Sequence, residues 1–175
     1  MEAKYNKVKD TLKLLKESKN RNVLLCMTGS VASIKGKEIV TKLLRELNTN
    51  VILVQTQSSM HFTHNCDAEW KIDLDRINEQ LTQEKGEGAP FVVQFFDDEE
   101  YAGFKQRGDP VLHIELRNLA SVIVVAPLSA NTMGKMCSGI CDNLVTCIFR
   151  CLPYKKIEGK YELQLPVVAA PSMNS

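Results

Sequence analysis

Val122-Ile-Val-Val-Ala-Pro-Leu-Ser-Ala-Asn-Thr-Met-Gly-Lys-Met-Cys-Ser-Gly-Ile-Cys-Asp-Asn143 is the stretch that decides the fold. A short apolar run, Val122 to Ala126, reads as a buried strand. It meets a proline and then small polar residues that open a helix. Ser129, Asn131 and Thr132 therefore fall where the carboxyl end of a strand meets the amino end of a helix. In an open parallel sheet, that junction is where anionic cofactors bind. Capping alone would need one polar residue, and here several are clustered.

Working outward, the same alternation recurs. Residues 4–17 carry Val8, Leu12 and Leu15 between lysines, an amphipathic helix. Asn22 to Met27 reads as the first strand, Thr28-Gly29-Ser30 as a turn, and Val31 to Leu47 as a helix with Val40, Leu43, Leu44 and Leu47 on one face. Val51 to Val54 is a second strand, Phe91 to Phe96 a third, Val122 to Ala126 a fourth and Val167 to Ala170 a fifth. Asp109-Pro110 predicts a helix start, with the acid as N-cap, running through His113 to Leu119. Residues 131–151 read as helical, broken near Gly139 and restarted with Asp142 as N-cap, and 153–164 as a polar connection. Alternating short strands and helices predict a doubly wound parallel α/β sheet of the flavodoxin-like or Rossmann-like class in a single domain. The expected organisation is an N-terminal amphipathic helix over 1–20, then the cofactor-binding domain over 21–175. Residues 65–90 interrupt that domain as a charged surface insertion with a patch of Leu74, Ile77 and Leu81 and a mobile tail at Gln83 to Ala89.

Composition narrows the function classes. A charge of +1 gives no push toward nucleic acid or acidic membranes. No apolar run approaches the ~20 residues of a membrane span, and the first residues lack an apolar signal core, so a cytoplasmic protein is expected. Cys137 and Cys141 stand four apart on one helical face. No CxxC pair and no histidine at ligand spacing accompanies them, so no metal is expected.

Three loops follow strand ends: Thr28-Gly29-Ser30, Thr56-Gln57-Ser58 and Leu128 to Thr132. The single glycine of the first is not the dinucleotide fingerprint, and no Walker A motif is present. A mononucleotide such as FMN fits better than NAD. His113 sits between Leu112 and Ile114, where a core histidine bonded to a carbonyl and a general acid or base are both open readings. Asn174 could orient a substrate carboxylate through its amide, or be a frayed terminus.

Several segments together carry a resemblance: Thr-Gly-Ser-Val-Ala at 28–32, Asp-Pro-Val-Leu-His-Ile-Glu-Leu at 109–116 and Ala-Pro-Leu-Ser-Ala-Asn-Thr-Met-Gly-Lys at 126–135. Ser-Gly-Ile-Cys-Asp-Asn-Leu at 138–144 and Pro-Ser-Met-Asn at 171–174 complete the set. With these motifs the chain is similar to the flavin-dependent cysteine decarboxylases, over residues 22–64 and 91–174. Within them it most resembles the branch acting on 4′-phosphopantothenoylcysteine. The resemblance implies an FMN-dependent carbon–carbon lyase that forms 4′-phosphopantetheine in coenzyme A biosynthesis. It implies that Gly29, Ser30, Thr56, Phe62, Ser129, Ala130, Asn131 and Thr132 hold FMN, that His113 is the catalytic base and that Asn174 binds the substrate. It also implies a homotrimer, or a heterotrimer with related chains. In the family, Pro-x-Met-Asn continues into a Met-Trp pair and later a cysteine that protonates the enethiol. This sequence ends at Ser175, so a C-terminally truncated chain with an incomplete reductive half-reaction is expected. The alternatives within the resemblance are a regulatory subunit of the protein phosphatase inhibitor type and a flavin prenyltransferase. The His113 context and the Pro-Ser-Met-Asn ending argue against the second of these. A generic nucleotide-binding module is the fallback.

Overall fold

A computed structural model describes residues 2–64 and 71–173. The strands and helices alternate as the apolar runs predict. They are α1 (Glu2–Glu17), β1 (Asn22–Met27), α2 (Gly36–Arg45), β2 (Asn50–Gln55), α3 (Gln57–His64), α4 (Leu74–Lys85) and β3 (Val92–Phe95). They continue with α5 (Leu112–Leu119), β4 (Val122–Leu128), α6 (Ala130–Ser138), α7 (Leu144–Arg150), β5 (Tyr154–Ile157), β6 (Lys160–Leu163) and β7 (Val167–Pro171).

Five strands pair in the order β3-β2-β1-β4-β7, all parallel. β1 and β2 are buried at every position, as central strands covered on both faces must be. Successive side chains point to opposite faces. Leu24, Cys26, Ile52, Val54, Ile123 and Val125 thus pack with α1, α5 and α7 on one side. Leu25, Met27, Val51 and Leu53 pack with α2 and α4 on the other. This is the doubly wound, flavodoxin-like class expected. The chain builds β1, β2 and β3 in one direction and then returns to lay β4 on the other side of β1. The reversal opens a crevice at the carboxyl ends of β1 and β4, the position where such sheets take ligands.

Several boundaries differ from expectation, each for a local reason. The helix expected from Val31 begins as a 3-10 turn over Val31–Lys35. There Ser33 N–H donates to Ser30 O at 2.9 Å and Ser33 Oγ to Thr28 O at 2.9 Å, which draws the chain tight under the turn. The α-helix proper opens at Gly36, where a Cβ would lie 2.4 Å from the Met27 terminal methyl. It ends at Arg45, so Leu47 is exposed rather than on the apolar face. Asp109 is not an N-cap. Its carboxylate accepts from the Lys105 and Gln106 amides at 2.9 and 3.0 Å, and these bonds hold its carboxyl below the usual carboxylate range. The helix starts at Leu112 with Val111 at the cap position and no side-chain cap.

Gly139 does end α6, in the left-handed conformation at φ 71°. Asn143, not Asp142, caps α7: its side chain accepts from the Thr146 amide at 3.0 Å while Thr146 Oγ1 accepts from the Asn143 amide at 3.2 Å. Within the expected insertion, Leu74–Lys85 forms the helix α4, which buries Leu81 against the sheet. The residues expected as a mobile tail from Gln83 are helical through Lys85. Asn78 of this helix clasps the edge strand, donating to Val92 O at 2.9 Å and accepting from Val92 N–H at 2.8 Å. The polar connection 153–164 holds an antiparallel hairpin, β5 with β6. It turns on Glu158 and Gly159, both at positive φ, a two-residue hairpin turn.

Candidate functional site

The carboxyl edge of the sheet is locked from beneath by one threonine. Thr28 Oγ1, fully buried, donates to Pro127 O at 2.8 Å and accepts from the Ser129 amide at 2.7 Å. This ties the end of β1 to the end of β4 across the crevice. A chain of buried amides and hydroxyls extends the floor sideways. Gln94 donates to Gln55 at 3.0 Å, Gln55 to Thr63 at 2.9 Å and to Ser59 at 3.2 Å, and Ser59 to Ser33 at 3.2 Å. Buried polar groups are tolerated when each is satisfied, and here they fix α3 and the 3-10 turn relative to the strands. Gly29 permits a close approach of α3 to the turn after β1, because a Cβ on it would lie 2.5 Å from Ser58 Cβ.

Above this floor is a cleft of about 330 Å³ lined by Gly29, Thr56, Ser129, Asn131 and Thr132 together with Gln57, Ser58, Asp97, Lys135, Asp142 and Asn143. Its walls include the starts of α3 and α6. Helix amino ends point N–H groups and partial positive charge at whatever sits there. Ser129 caps α6, its hydroxyl accepting from the Thr132 amide at 3.3 Å. Asp97 caps α7 from outside, accepting from the Leu144 amide at 2.8 Å. Lys135 pairs with Asp142 across the bend between α6 and α7. The cleft is thus polar and offers many donors, suited to a phosphate or a polar heterocycle.

Five of the sequence-selected residues, Gly29, Thr56, Ser129, Asn131 and Thr132, meet in this one cleft. The others stand apart from its lining. Ser30 caps the 3-10 turn through the Ala32 amide and shares a 2.9 Å hydrogen bond with Ser172. Phe62 is half-buried on α3, its ring edge-on to His61. Ala130 is the exposed first residue of α6. His113 lies on α5 beside α7, with Nδ1 against the Glu100 carboxylate and its carbonyl approached by Cys151 Sγ at 3.9 Å. Asn174 lies outside the described residues. Gln57, Ser58, Asp97, Lys135, Asp142 and Asn143 line the cleft without having been selected from the sequence, although the last three lie within the quoted motifs and the first two within the Thr56-Gln57-Ser58 loop. Among the described residues, no group of three or more histidine, cysteine or acidic side chains is arranged to hold a metal. No helix of the described residues is long and apolar enough to cross a membrane.

The model of the flavoprotein family matches residues 11–175. The chain belongs to the flavoprotein family. It is 39% identical over 153 residues to a phosphopantothenoylcysteine decarboxylase of Arabidopsis thaliana, covering 87% of this chain and 58% of the relative. A mouse (Mus musculus) protein of the same name is 36% identical over 159 residues, covering 91% of this chain and 63% of that one. The chain therefore spans about three fifths of the length of these relatives. Among solved structures, it is similar to a cysteine-to-serine mutant of PPC decarboxylase complexed with pantothenoylaminoethenethiol. That likeness has TM-score 0.65 and 36% identity, and covers 90% of this chain and 69% of that one. It is also similar to the FMN-binding protein AtHal3, with TM-score 0.63 and 38% identity over 89% of this chain and 68% of that one. The family resemblance read from the motifs is borne out.

Proposed function

We propose that this flavoprotein binds FMN in the cleft at the ends of β1 and β4 and decarboxylates 4′-phosphopantothenoylcysteine to 4′-phosphopantetheine. The observation that carries the reading is the convergence of Gly29, Thr56, Ser129, Asn131 and Thr132 in one cleft of a chain whose relatives are named for that reaction. The residues fit the cofactor. The cleft volume is at the lower end for small-molecule sites, the helix starts favour an anion, and the Gly29–Ser58 approach leaves a cradle that any side chain would fill. Ser129, Asn131 and Thr132 supply donors and acceptors from α6, with Thr56, Ser30, Ala130 and Phe62 on its flanks. FMN supplies the two-electron oxidation of the substrate's thiol-bearing carbon and the later return of those electrons.

The protein's own share is positioning and proton movement. His113 takes a proton at the cysteine moiety, and Asn174 holds the substrate carboxylate through its amide. Once the thiol-bearing carbon is oxidised, the carboxylate leaves as carbon dioxide because the adjacent electron-poor carbon accepts the electron pair. His113 stands outside the lining of the cleft, so it is assigned to the substrate and not to holding the cofactor. The same reading has the chain assembling as a homotrimer, or as a heterotrimer with related chains. The decisive experiment incubates purified protein, FMN and 4′-phosphopantothenoylcysteine and reads decarboxylated product by mass. His113→Asn is expected to abolish product while retaining bound flavin. A variant that turns over normally removes His113 from the reaction, and one that loses flavin and unfolds makes it a structural core residue.

A further inference from the structure

The carboxylate beside His113 is not part of the cleft and is not accounted for by cofactor binding. Glu100 follows the 3-10 turn at Asp97–Glu99 and is buried, with only 7% of its surface exposed. Its Oε1 meets His113 Nδ1, and its Oε2 is buried with no hydrogen-bond partner among the described residues. A carboxylate taken out of water with one oxygen unsatisfied is costly. It is retained where its charge is needed by a neighbour. The neighbour in contact is the imidazole. Arg117, one helical turn after His113 on α5, likewise keeps a buried Nε without a partner. The thiols facing this region, Cys147 on α7 and Cys151 just after it, are both pushed up, first by burial; the Glu100 charge adds to this at both, against an opposing Arg117 charge at Cys151. They therefore stay protonated and do not compete for that role.

We propose that Glu100 is the positioning residue of His113: its carboxylate accepts from Nδ1–H, fixes that tautomer and leaves the Nε2 lone pair as the proton acceptor toward substrate. The chemistry follows from the two ring nitrogens. A neutral imidazole carries one proton, and a carboxylate on Nδ1 holds it there. Nε2 is then bare, as a general base requires. When Nε2 takes a proton, the ring becomes a cation in contact with an anion, and the buried charge of Glu100 is offset. His113 Nε2 has no hydrogen bond among the described residues, and its side chain keeps 20% exposure, so that nitrogen is the one open to a ligand. This rests on the reading of His113 as the base.

The test is nitrogen-15 NMR of the FMN-loaded protein with labelled histidine, the His113 signals being assigned by their loss in His113→Asn. With the ring neutral, the wild type is expected to show a protonated Nδ1 and an unprotonated Nε2. Glu100→Ala is expected to lose that pattern and show exchange between tautomers. Glu100→Gln preserves shape but removes the charge, so the downfield Nδ1–H proton signal is expected to move upfield or vanish. Product formation is expected to fall on the order of tenfold to hundredfold in Glu100→Ala, the usual loss when a histidine's second partner is removed, and to recover in part in Glu100→Asp. A wild-type ring protonated at Nε2, as would follow if Glu100 were itself the donor, overturns the proposal. So does a His113 signal that neither variant alters. If the wild type forms no decarboxylated product, the proposed reaction fails, while the tautomer still decides the role of Glu100.

Discussion

Thr28 holds two strand ends with a single hydroxyl, and its replacement separates two effects. Thr28→Val keeps the shape but leaves the buried Ser129 amide without an acceptor. An orphaned buried donor costs about 1–3 kcal/mol, so the midpoint of urea denaturation is expected to fall with an unchanged slope. Flavin retention, read from the visible spectrum of the purified protein, is expected to fall as well, because the Ser129 amide is what sets the start of α6. Full retention would show that the Ser129 turn is held elsewhere. Cys26, fully buried near the carboxyl end of β1, gives a second residue-scale prediction. Burial pushes its thiol from 9.0 up to about 12. The unfolded chain ionises this thiol near pH 9, whereas the folded chain keeps it protonated. Its contribution to stability is therefore complete below pH 9 and is lost as pH rises toward 12. The urea midpoint is expected to decline more steeply across that window in the wild type than in Cys26→Ala. Parallel curves would dismiss the effect.

At the scale of elements, the bend between α6 and α7 shows what sequence could and could not reveal. Gly139 was legible as a break because few other residues accept a positive φ. The choice of cap between Asp142 and Asn143 was not, since both residue types serve and the decision falls to Lys135, which engages Asp142. Asn143→Ala removes the reciprocal cap with Thr146 and is expected to cost about 1 kcal/mol, checked by chemical denaturation. Because Asn143 also lines the cleft, flavin affinity is expected to drop further than stability alone explains. The five strands of the parallel sheet were legible to within one or two residues, and β1 and β2 most clearly, because a strand buried on both faces is an unbroken apolar run. α4 was less so. Its apolar stripe is thin, and the contact that anchors it, Asn78 to Val92, pairs residues that local periodicity does not connect. The hairpin β5–β6, expected only as a polar connection, was not legible because its apolar residues Tyr154, Ile157, Tyr161 and Leu163 stand exposed among charged ones and form no buried run.

Across the whole molecule, the reversal of strand order between β1 and β4 explains why distant segments had to be read together. Positions 28–29, 56 and 129–132 converge only because parallel strands present every carboxyl end on one edge. Their grouping was therefore legible once the alternation was. Gln57, Asp97 and Lys135 join the same cleft through side-chain direction, which spacing does not encode. Glu100 reaches His113 through a loop whose path the charged sequence 97–108 leaves open. The same geometry makes a thermodynamic prediction. If the helix starts at the carboxyl edge hold the cofactor by its phosphate, FMN stabilises the folded chain more than riboflavin does. A ligand present at a hundred times its Kd stabilises by about 2.7 kcal/mol. For a domain of this size each kcal/mol is worth about 2–4 °C, so FMN is expected to raise the melting temperature by roughly 5–10 °C. Riboflavin at equal concentration lacks the charged group that meets the amino ends of α3 and α6 and is expected to raise it by much less. The FMN shift should also shrink in Ser129→Ala, where the α6 cap is lost. Equal shifts from the two flavins, measured by differential scanning fluorimetry, would place the phosphate away from this edge and the bound flavin in some other orientation.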